Sequence, residues 1–179
     1  MSENKDTYAQ AKSQMRLSEK IAAALPGFRG YKEKELRRES DKLIRNHLYL
    51  KLTKDKDNVR AISQRIADKR YLDILPDIDR LTAKMDRITE KVNHASYGYS
   101  GFYDIVKIKE ENLDRMIAYD NQLLDSVNAL TAEIDALKTQ LLGGDYTNLK
   151  DKIQGVADKF EMLEDTFDKR QEVILGVTA

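Results

Sequence analysis

The sequence predicts an all-α protein: an elongated antiparallel bundle of four to five helices with coiled-coil-like heptad seams. Three observations predict it. Charged residues make up 35% of the 179 and the apolar set 41%, with two prolines and no tryptophan, the balance of long charged helices rather than of sheets. Apolar residues recur at three- and four-residue steps over long stretches. Glycines, apart from Gly155 and Gly176, fall between those stretches. The length matches one domain, residues 1–179.

Residues 1–30 predict an N-terminal helix from about Asn4 to Leu25, on the stripe Tyr8, Ala11, Met15, Ser18, Ala22 and Leu25, then a connector where Pro26 and Gly27 end it. Residues 31–94 predict a helical arm. Leu36, Leu43, Ile44, Leu48, Leu50 and Leu52 form its first apolar face, opposite Arg37, Arg38, Glu39, Asp41, Lys42 and Arg45. The polar run 54–58 reads as a turn or as mid-helix, since it offers caps but neither glycine nor proline. Val59, Ile62 and Ile66 keep helical spacing, the phase slips between Tyr71 and Leu75, and a kink or short break belongs near Pro76. Ile74, Ile78, Leu81, Met85, Ile88 and Val92 then continue the pattern.

Residues 97–108 form an aromatic-glycine connector, the one place where composition changes character. The next helix, 109–142, carries Leu113, Ile117, Asp120, Leu124, Val127, Leu130, Ile134, Leu137 and Leu141 on one stripe. At ~1.5 Å per residue it would run ~50 Å, so the body should be a rod. Gly143 and Gly144 stop it. The C-terminal helix, 147–175, has the cleanest register: Leu149, Ile153, Val156, Phe160, Leu163, Phe167 and Ile174. No convincing internal repeat is visible.

The 31 basic and 31 acidic residues cancel overall but not locally. Residues 29–70 hold 14 Lys and Arg against 7 Asp and Glu, whereas residues 110–170 hold 7 against 14. Mutual complementarity inside one bundle is the simplest reading; a basic surface for nucleic acid or anionic lipid is the other. The lack of cysteine excludes disulfides and thiolate sites and fits a reducing compartment. The opening residues predict no secretory leader, and no stretch is apolar enough to span a membrane. The expected location is cytoplasmic.

Nothing predicts catalysis or a cofactor. His47 is preceded at the third position by Ile44 and His94 by Lys91, so neither completes the Glu-x-x-His pair of a bundle di-metal site. Phosphate-cradling glycine loops, nucleophile elbows and calcium loops are also missing from the sequence. The expectation is no enzyme, no metal and no small-molecule substrate.

Three features remain as candidate sites. Tyr97, Tyr99, Phe102 and Tyr103 put four of the thirteen aromatics into seven residues with two glycines. They read as a plug folded over the bundle end, as a partner-binding tip, or as a stacking platform for bases, for which Lys107 and Lys109 give thin support. Phe28, Arg29 and Tyr31, with Lys32 and Lys34, form an aromatic-basic cluster that reads as a packed hinge or a membrane-surface contact. Asp120 interrupts a buried seam and would need an Arg, His47 or a tyrosine hydroxyl as partner, unless the helix turns so that Met116 or Tyr119 faces inward. The functional expectation is a non-enzymatic adaptor, scaffold or assembly subunit acting through protein contacts or self-association. Nucleic-acid or anionic-membrane binding through 29–70 is the alternative.

Overall fold

A computed structural model of the chain describes residues 15–30, 34–95 and 110–175; it is all-helical, with five helices and no strand among those residues. They are α1 (15–24), α2 (Lys34–Asp68), α3 (Leu75–His94), α4 (Glu110–Leu142) and α5 (Leu149–Leu175). The 33 residues of α4 give a length of ~50 Å. The run 54–58 is mid-helix, as nothing in it breaks the backbone ladder of α2.

Of the kink or short break expected near Pro76, the structure has a break, so the arm expected over 31–94 is two helices. α2 ends at Asp68, the chain reverses over 69–74, and Pro76 stands in the first turn of α3, where a missing N–H costs nothing. The stop is a Schellman turn: Arg70 has φ 63°, its N–H reaches the Ala67 carbonyl, and the Tyr71 N–H reaches the Ile66 carbonyl. The turn after α4 repeats it. Gly144 has φ 80° and donates to Leu141, and Asp145 donates to Gln140. Glycine announces the second turn; arginine hides the first.

α2 and α3 form one antiparallel hairpin and α4 and α5 a second. Between the hairpins the helices run in parallel. Lys51 bonds Asn128, Asn58 bonds Asp135, Lys84 bonds Glu161 and Lys91 bonds Asp168, each pair 77 residues apart. α2 packs on α3 and α4, and α5 packs on α3 and α4. The chain therefore passes from α3 to α4 between opposite corners of the square.

The core repeats as well. Leu52, Val59, Ile62 and Ile66 of α2 are buried, and so are Val127, Ile134, Leu137 and Leu141 of α4, 75 positions later in each case. Ile78, Leu81, Met85, Ile88 and Val92 of α3 match Ile153, Val156, Phe160, Leu163 and Phe167 of α5 at the same separation. Burial at three- and four-residue steps gives each helix one apolar stripe, which supplies most of its stability.

Two expected stripes shift. In α1 and the residue after it Ile21 and Leu25 are buried, while Met15 and Ala22 are exposed, because the isoleucine removes far more apolar area from water than alanine does. In α2 Leu50 is exposed and Asp41 is buried. α1 is held on α4 by Asn121, whose amide donates to the Leu17 carbonyl at 3.2 Å, and by the Lys20–Asp125 ion pair at 2.6 Å.

Three cations of 29–70 are met inside the first hairpin rather than by 110–170 carboxylates. Arg45, Lys56 and Arg60 pair with Asp41, Asp86 and Asp57 of the first hairpin. The carboxylates of α5 are met from α3 instead: Lys84 by Glu161, Arg87 by Glu164, Lys91 by Glu164 and Asp168. Burial works against the Lys91 ammonium, but its two acceptors outweigh it and hold its pKa above the ordinary value.

Arg70→Gly should remove the strain of a side chain at positive φ and stabilise the protein by ~1 kcal/mol. Urea unfolding measures this, with an unchanged slope expected.

Candidate functional site

Two places stand out among the described residues as candidate sites. The first lies in the core towards the start of α2 and the end of α5. Asp120 is fully buried on α4, and Arg170, 1% exposed on α5, donates to it through Nε. The same guanidinium ion-pairs with Asp41 of α2 at 2.9 Å, and Asp41 accepts from Arg45 Nε at 2.8 Å. Two carboxylates and two guanidinium groups thus sum to zero charge across three helices. Arginine stays protonated at any ordinary pH, so both guanidinium groups keep their charge. Its chemistry is that of a fixed joint.

Sequence reasoning placed Asp120 in the seam and an arginine among its partners, but did not identify Arg170 or Asp41. A signal existed: three positions after Phe167, the next core step falls on Arg170, and Val173 is buried after it. Met116 is buried together with Asp120, so the helix has not turned one residue inward at the expense of the other.

The second place is the end where both hairpin loops meet. Tyr71 and Tyr146 stack with centroids 4.7 Å apart and planes within 9°. Arg65, in the last turn of α2, donates to the Leu141 carbonyl at 2.8 Å and to that of Leu142 at 3.4 Å. It thereby caps the negative end of the neighbouring helix, a contact available only because α2 and α4 run the same way. Asp145 accepts from the Thr147 backbone at 2.9 Å, and Gln140 donates to the Thr147 carbonyl at 3.1 Å. On this braced scaffold Tyr71 is 40% exposed, Leu72 61% and Leu142 60%. Leu72 was hidden from sequence reasoning because the reversal at 69–74 was.

Tyr97, Tyr99, Phe102, Tyr103 and Tyr31 lie outside the described residues. Phe28 is half-buried against the core and Arg29 is exposed. His47 is half-buried, and burial, assisted by Lys51, lowers its pKa. His94 is exposed, 3.1 Å from Glu90. An open groove of about 810 Å³ runs between α2 and α3, past Lys42, Arg45, Tyr49 and Val92. Among the described residues no group of three or more His, Asp or Glu could hold a metal, and no helix is long and apolar enough to cross a membrane.

No protein-family model matches this chain, and neither does any curated protein or solved structure. The geometry alone carries the functional reading.

Asp120→Ala should cost ~3–5 kcal/mol by leaving a buried guanidinium half-paired, and Asp120→Asn less. Urea denaturation measures both, and the losses should change little with added salt, which screens exposed pairs rather than buried ones.

Proposed function

We propose that this chain is a non-enzymatic helical-bundle adaptor or assembly subunit, and that it binds a protein partner through the loop end of the bundle. The observation that carries the reading is the apolar surface of Tyr71, Leu72 and Leu142 on loops whose backbones are fixed by Schellman turns and by Arg65. Rigid aromatic and aliphatic groups give contact area at low entropic cost. The partner that suits them is a protein with an apolar recess. Charge gives this end no sign: Lys69 and Arg70 stand beside Asp73 and Asp145, so neither phosphate nor an acidic surface is selected.

The alternative, nucleic acid or anionic membrane bound through 29–70, has less support. Arg45, Lys56 and Arg60 are paired with carboxylates and Arg65 with carbonyls.

The paired substitutions Leu72→Asp and Leu142→Asp should leave the unfolding free energy within ~0.5 kcal/mol, as exposed sites do, and weaken partner binding at least about tenfold. Crosslinking in lysate followed by affinity measurement with the recovered protein reads this, with Leu50→Asp as a control on another surface. Sedimentation of the same variants reports whether the partner is a second copy. Unchanged affinity in the paired variant would reject the loop end; retention on nucleic acid or anionic vesicles at low salt, lost as salt rises, would favour the alternative.

A further inference from the structure

The seam between α2 and α4 contains a carboxylate where an apolar residue is expected. Asp55 is fully buried, and the second hairpin has Leu130 at the position 75 residues on. Its Oδ2 lies 2.9 Å from the Thr131 hydroxyl, and its Oδ1 meets no hydrogen-bond partner among the described residues. The same hydroxyl lies 3.0 Å from the Val127 carbonyl, one turn back on α4.

A threonine hydroxyl has one proton and two lone pairs, so it cannot donate to both oxygens. If it donates to Asp55, the carboxylate stays charged with one oxygen bare in the core. If it donates to Val127, Oγ1 becomes an acceptor and Asp55 must supply the proton as a neutral acid. In the second arrangement each proton of the row has an acceptor, and the bare oxygen belongs to an uncharged group, which is far less costly to bury.

The surroundings do little for the anion. From α2, Lys51 bonds Asn128, Lys54 is exposed and Lys56 pairs with Asp86 of α3. From α4 comes Asp135, a like charge. The one ionisable group among the buried residues of α3 and α5 is Arg170, committed to Asp120 and Asp41. On α4 Asp120 lies 11 residues from Thr131 (131 − 120), or ~16 Å. Burial accordingly pushes the Asp55 carboxyl up to about 6.

We propose that Asp55 is a proton-operated latch across the seam between the two hairpins. Neutral, it donates to Thr131, whose hydroxyl donates on to Val127; ionised, it sets an under-partnered charge in the seam and loosens it. Because the folded protein holds this proton more tightly than the unfolded chain, the stability it contributes is full below ~pH 4 and is lost as pH rises through ~6.

The test is urea unfolding of the full chain and two variants at about pH 5 and about pH 7.5. The folding equilibrium constant of the parent, taken relative to Asp55→Asn, should fall about tenfold between the two. A ratio independent of pH, or one that rises, overturns the latch. Thr131→Val separates the two hydrogen-bond directions. A larger loss at the lower pH supports the neutral donor, and a larger loss at the higher pH overturns it. Carbon-13 NMR of the Asp55 carboxyl gives a readout independent of folding: a midpoint well above ~4 supports the latch, and one at or below ~4, the value of an exposed aspartate, overturns it.

Discussion

The arrangement of this bundle depends on a guanidinium held in its core. A charge taken out of water is tolerated only where opposite charges meet it in good geometry, and Arg170 meets Asp120 of α4 and Asp41 of α2 at once. An apolar stripe tolerates a slide of one turn, because leucine and isoleucine pack against many neighbours. A buried arginine does not, since any slide of α5 separates it from two carboxylates on two helices. The joint therefore selects one register and one set of neighbours out of those the apolar stripes allow. The exposed pairs between α3 and α5 contribute little each; they agree with that register more than they impose it.

Given the register, the rest of the core follows a duplicated plan. The two hairpins bury many of the same positions at a separation of 75 residues, with turns of the same length closed by the same pair of Schellman hydrogen bonds. Residue identities differ at most positions, with Tyr71/Tyr146 and Ile78/Ile153 among those shared, so the duplication shows in the burial pattern more than in the letters. Several departures from the plan are polar residues. Asp55 stands where the second hairpin has Leu130, Arg170 where the first has Ala95, and Asp120 where the first has Arg45. The pattern common to both hairpins makes the fold, and these departures from it make one pairing specific.

Much of this was legible in the sequence. The stripes of α3, α4 and α5 predict their buried residues almost one for one, because long helices with one apolar face leave a clear period, and Gly143 and Gly144 mark the second turn. What stayed hidden has local causes. Arg70 adopts a conformation expected of glycine, so a reversal read as a kink or short break. Asp41 lay among charged neighbours and was assigned to the solvent side, although only its position relative to Arg170 decides its burial. The electrical division of the chain suggested pairing between 29–70 and 110–170, whereas the acidic face of α5 turns to α3, whose cations lie beyond residue 70. The loop-end surface could not be read before the reversal at 69–74 was known.

Two polar sites at different levels of the same seam divide its work. The Arg170 joint is built around guanidinium groups, which stay charged at any ordinary pH, and it holds α2, α4 and α5 together. Asp55, about three turns further along the seam, is the group whose charge state is open. Protonation can then change how tightly α2 and α4 meet at its level while their register stays held at the other. A response built this way alters tightness without altering topology. The loop end would stay in place during it, because Arg65 and the stacked tyrosines fasten the two hairpins there by contacts that involve no titrating carboxylate.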